Sequence, residues 1–172
     1  MSHVKNKVDW CLKKAEKELK ELGKHRGLIR IKPDLNKSRD YIKKAEHYLK
    51  ATDYLKKGNF SDVSASTVFY SMYSCLLAII TKFGYESKNQ ECTFALILSL
   101  IEQGKIDFDK ELLNKIASVE PKDEKGKEKT IEIREKYQYE TFLSLKDDLY
   151  KELFELAQEI IAKTKEIIEG GI

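Results

Sequence analysis

The chain has 172 residues, 35% of them charged, with 32 Lys/Arg against 29 Asp/Glu and a net charge of +3. That length can bury a real core as one domain, and scarce Gly and Pro beside abundant Lys, Glu, Leu and Ile are helix-forming usage. No apolar run follows a basic leader, so no signal or transit peptide is expected, and the odd, widely spaced set of Cys11, Cys75 and Cys92 argues against a disulfide framework or a zinc site. The cysteines read instead as small core hydrophobes in a reducing, cytoplasmic setting. Charge is spread unevenly: residues 1–57 carry 17 Lys/Arg against 8 Asp/Glu, whereas residues 58–172 carry 15 against 21. A basic half suits nucleic acid or an acidic partner, and equally suits complementary helices within the chain or across a dimer.

Residues 3–22 read as a first helix. Val4, Val8, Cys11, Leu12, Ala15, Leu19 and Leu22 form its apolar stripe, Trp10 lies near the edge, and Gly23 ends it. A basic connection follows, with Lys24, His25, Arg26, Arg30 and Lys32 among two glycines. It could grip phosphate, because backbone can approach closely at glycine, or serve as a solvated linker. His25 has no metal-spaced partner. Together these make up the N-terminal helix and basic linker, residues 1–33, ahead of the helices of residues 34–172.

Asp34 is placed to cap a second helix running to about Lys57, which Gly58 and Asn59 close. Ser61 or Asp62 then opens a helix containing residues 63–81, nineteen residues without a charge. Such a run is either a membrane span or a helix covered by its neighbours. Its many hydroxyls favour the covered helix, since a bundle can pair them and lipid cannot. Ser64, Thr67, Ser71, Ser74 and Ala78 make a small stripe, while Ala65, Phe69, Met72, Leu76, Ile79 and Phe83 make a bulky one. These two faces predict a central helix with one close neighbour.

After Gly84, Ser87 and Gln90 have the spacing of a capping box, which leaves Glu86, Asn89 and Glu91 as polar contacts. A short apolar helix follows to Gly104, then a helix over residues 109–119. The PKDEKGKEK stretch reads as a loop. Helix resumes from Glu128 into Tyr139, Phe142 and Leu143 turn the chain, and Ser144 caps a last helix from Leu145 to about Ile168. No alternating pattern of useful length suggests a strand, so the fold class is all-α, an antiparallel helical bundle of four to five core helices with an extra N-terminal helix.

Catalytic equipment is sparse. The chain has no HExxH, glycine-rich phosphate loop, C-x-x-C or Glu-x-x-His pair, and its histidines are His3, His25 and His47. No metal site and no cofactor are expected. Cys92, at a helix start, could be acidified there, but no base is marked to serve it. Arg134 sits in an otherwise apolar phase between Ile133 and Tyr137. Its guanidinium should meet semi-buried polar groups, a carboxylate, a tyrosine ring or a ligand.

The turn GNFSD, Ser64-x-Ser66 and the run Phe69-Tyr70-Ser71-Met72-Tyr73-Ser74-Cys75-Leu76-Leu77-Ala78 resemble the central helix of HEPN-domain proteins. KFGYESKNQECTFALI is similar to an archaeal subgroup, and Arg134-x-x-Tyr137-x-Tyr139 resembles the family's Arg-containing segment. The likeness covers roughly residues 36–168. It implies an antiparallel bundle, a homodimer, and toxin–antitoxin or defence roles, often beside a partner nucleotidyltransferase. The family's ribonuclease motif is Arg-x4–6-His at a dimer cleft. Here Arg134 is followed at that spacing by Tyr139, and no histidine occurs after His47. Ser74 and Gln90 also stand where related members carry histidine. A tyrosine with a pKa of about 10 is a poor proton shuttle near neutrality. The expectation is a non-catalytic HEPN-like protein binding RNA, a nucleotide or a protein partner in a cleft of Arg134, Tyr137 and Tyr139 with Asn89, Gln90 and Glu91. The alternatives are a metal-independent ribonuclease using Arg134 and Tyr139, and a pure interaction module.

Overall fold

The structure, a computed structural model, describes residues 3–117 and 128–170. Seven helices and a two-stranded ribbon occur among them: α1 (His3–Leu22), β1 (Leu28–Arg30), α2 (Leu35–Lys57), α3 (Ser61–Lys82), β2 (Tyr85–Ser87), α4 (Gln90–Glu102), α5 (Lys110–Ile116), α6 (Thr130–Tyr139) and α7 (Asp147–Glu169). The protein is all-α apart from that ribbon. Residues 121–127 of the expected loop lie outside the described residues.

Helix α3 is the axis. By length and composition it could cross a membrane, but it runs through the bundle with Ala65, Phe69, Met72, Cys75, Leu76 and Ile79 fully buried. Its small stripe brings α2 close enough for hydroxyl-to-backbone bonds. Ser64 Oγ donates to the Thr52 carbonyl at 3.1 Å and Ser71 Oγ to the Ala45 carbonyl at 2.7 Å. A Leu at either position would force the helices apart and remove that cross-helix bond. The short α2–α3 turn, with Asn59 at φ 63°, makes the pair antiparallel.

Helix α7 closes the bundle, antiparallel to α2 and parallel to α3. Along α2 it makes the pairs Arg39–Glu169, Glu46–Lys165 and Lys56–Asp147. At the start of α3, the Ser61 hydroxyl accepts from Leu145 N–H at 2.9 Å. At the other end, Lys82 Nζ donates to the carbonyls of Ile167 (2.6 Å), Gly170 (2.7 Å) and Ile168 (3.3 Å). A cation there satisfies carbonyls that the helix itself leaves unpaired. The largest buried cluster draws residues from all seven helices.

Several local expectations are corrected. The cap of α4 is Asn89, whose side chain accepts from Cys92 N–H at 2.9 Å, and not Ser87. Ser87 is held in β2 opposite Leu28, and its hydroxyl bonds the Asn89 backbone instead. Helix α7 begins at Asp147 rather than behind a Ser144 cap, and α5 stops at Ile116. The ribbon itself was unexpected. Two three-residue strands show no alternation, and they pair antiparallel across an intervening helical hairpin. Gly84 permits it: its φ is +81°, and a Cβ there would lie 2.9 Å from the Ile31 carbonyl oxygen.

The cysteine reading also changes. Cys11 and Cys92 form a disulfide across 81 residues of chain, tying α1 to the first turn of α4. Only Cys75 matches the expected buried free thiol, and burial pushes its pKa up to about 12.

Candidate functional site

The residues expected to form a binding cleft fall into two separate places. Arg134 is on α6 with its side chain turned inward; the residue is 8% exposed. Its guanidinium carbon lies 5.1 Å from the Phe69 ring centroid. Its Nη atoms donate to Gln138 Oε1 at 2.8 Å and Glu135 Oε1 at 3.2 Å. The anticipated stack on an aromatic ring is present, on phenylalanine rather than tyrosine. Tyr137 is half-buried, its ring 5.6 Å from that of Phe142. Tyr139 is 76% exposed and shares no hydrogen bond or ring contact with Arg134 among the described residues.

Asn89, Gln90 and Glu91 lie at the start of α4, on the far side of an aromatic layer. Phe69 stacks on Tyr73 at 5.9 Å, Tyr73 meets Phe94, and the Tyr73 hydroxyl bonds Thr93 Oγ1 at 3.0 Å. Asn89 is used as a cap, and Glu91 pairs with Lys7 of α1 at 3.0 Å. Arg134 is packed on Phe69 and bonded to Gln138 and Glu135, while its buried Nε has no hydrogen-bond partner among the described residues. Among the described residues no cluster of three His, Cys, Asp or Glu side chains could hold a metal.

The basic connection is ordered as the ribbon's first strand and its flanks. Lys24, Arg26, Arg30 and Lys32 are exposed, with no side-chain ion pair among the described residues. His25 does not share that surface. It is 5% exposed, and its Nε2 lies 3.3 Å from Glu86 Oε1. Glu86 also receives Lys37 Nζ at 3.1 Å, and this hydrogen bond holds its carboxyl below the usual range. The histidine thus belongs to a structural bridge from the connection to β2 and α2.

Trp10 had been placed near the edge of the α1 stripe. It points outward instead, 52% exposed, with Lys7 Nζ 5.1 Å and Lys14 Nζ 5.0 Å from its ring. The signal was available: Lys at three residues before and four after a Trp shares its helix face. The opposite charge gathers elsewhere. A groove of about 920 Å3 beside α6 and α7 is lined by Glu128, Asp148, Glu152, Glu155 and Glu159 together with Lys115, Lys129 and Lys151. The exposed cations of the connection would draw a polyanion to that side.

The chain matches no family model and no curated protein.

Proposed function

We propose that the chain is a HEPN-like helical protein that binds RNA without cleaving it, and that binding lies on its basic N-terminal half. The observation that carries this reading is electrostatic. Lys24, Arg26, Arg30 and Lys32 stand exposed along one connection, without a side-chain ion pair among the described residues, while the guanidinium of Arg134 is packed on Phe69 and bonded to its own helix. Exposed cations can displace counterions from phosphates. A guanidinium engaged inside the bundle contributes little to that. As the resemblance implies, the protein is proposed to be a homodimer in a toxin–antitoxin or defence system with a partner nucleotidyltransferase.

Labelled RNA titrated at several salt concentrations tests the binding surface. Replacing Lys24, Arg26, Arg30 and Lys32 together by Ser should flatten the salt dependence by a slope of about 3 for a single strand. Arg134→Ala should leave affinity unchanged while costing about 2 kcal/mol or more of stability, because a desolvated cation–π contact is lost. Arg134→Ala lowering affinity tenfold in a protein of unchanged Tm would return the site to the α6 region. RNA cleavage abolished by the same substitution would make the protein a ribonuclease.

A further inference from the structure

We propose that Trp10 is a stacking platform for an unpaired RNA base, with Lys14 and its neighbours on α1 as the phosphate contacts. This rests on the RNA-binding reading above and names the contact that selects single strands.

Tryptophan is highly buried on average, and α1 has a buried stripe that could have received it. Val4, Val8, Cys11, Leu12 and Ala15 fill that stripe, and Trp10 faces the opposite way. Around it on the outer face stand Lys7, Lys13, Lys14 and Lys17. Lys7 is already committed to Glu91 at 3.0 Å and Lys17 pairs loosely with Glu21 at 3.8 Å. Lys14 has the Trp10 ring as its partner and no ion pair among the described residues. An aromatic ring interleaved with cations is the pattern that binds single strands: bases stack on the ring while the cations follow the backbone.

The exchange is favourable on both sides. A base stacking on the Lys14 face of Trp10 replaces an exposed cation–π contact with a stronger base–aromatic one. The displaced ammonium is then free to meet the adjacent phosphate. The platform is also rigid. The disulfide joins Cys11, the next residue after Trp10, to α4, and the backbone of Gly27 comes close to Ala15. Paired bases keep their faces within the stack, so a ring standing on a helix surface can reach only an unpaired one.

Trp10 is the chain's one tryptophan, so its fluorescence reads the proposed contact directly. Titrating the full chain at low salt with a single-stranded oligoribonucleotide should quench the emission to saturation. A duplex of the same sequence should bind more weakly and quench little. With labelled single-stranded RNA, Trp10→Ala should lose about tenfold in affinity and Trp10→Phe most of a decade less, with circular dichroism unchanged in both. Lys14→Gln should reduce the salt slope by about 0.7. RNA binding with unaltered Trp emission, or equal affinity of Trp10→Ala, would remove the platform and leave the RNA reading standing. Equal binding of duplex and single strand would do the same. No binding of either RNA by the unmodified protein would remove both.

Discussion

Glu86 joins the N-terminal connection to the bundle through His25 on one oxygen and Lys37 on the other. Because the Lys37 bond depresses its folded pKa, the stabilisation is present above the unfolded carboxylate value and fades as pH falls through the folded one. Urea unfolding between about pH 5 and pH 3 should show Glu86→Gln losing this acid-side slope, by less than about 1 kcal/mol for so solvated a pair. On the alkaline side, the Glu86 hydrogen bond raises Lys37, so its contribution is full below the ordinary lysine value and is lost as pH rises from there through the folded one. At this scale the sequence was informative where a residue conflicted with its own phase. Arg134 among apolar neighbours did signal an inward guanidinium. It was uninformative where the partner lay far along the chain, as for His25 and Glu86, 61 residues apart. Ser87 and Asn89 show another limit. Both have capping chemistry, and the choice fell to Asn89 because pairing with Leu28 had already fixed the Ser87 backbone.

Among the elements, α3 and its hydroxyl stripe were the most legible part of the chain, because small residues at helical spacing leave room for one neighbour only. The end of α7 was not legible. Nothing in its last turn supplies a cation, and the one that does so, Lys82, comes from the end of α3. Lys82→Met keeps the aliphatic stem and removes the donor, leaving buried carbonyls without their charged partner. A destabilisation of about 1.5–3 kcal/mol is expected in chemical denaturation. Faster hydrogen exchange confined to the last turn of α7 would locate the loss; an unchanged midpoint would show that those carbonyls need no cation. The ribbon escaped detection for a related reason: strands this short carry no period, and only Gly84 marked where the chain turns back sharply.

For the whole molecule, the disulfide ties α1 to α4. Three cysteines in unlike contexts could not announce it, since the pairing depends on how α1 lies against α4. Thiol titration distinguishes the outcomes: the native protein should react with no reagent, unfolded protein should expose Cys75 alone, and unfolding with a reductant should expose all three. Reduction, or Cys11→Ser with Cys92→Ser, should cost about 2–5 kcal/mol, read from denaturation midpoints. Two reactive thiols in native protein would contradict the pairing. The placement of α1 also has a consequence in time. Its apolar stripe is covered chiefly by α4 and β1, and β1 in turn pairs with β2. Of these, β2 and α4 leave the ribosome late, since Cys92 is 81 residues behind Cys11. At about 5–20 residues per second, that delay is roughly 4–16 s. Helix α1 waits, with the greasy side that α4 will cover open to the surroundings, for that later stretch of chain to arrive.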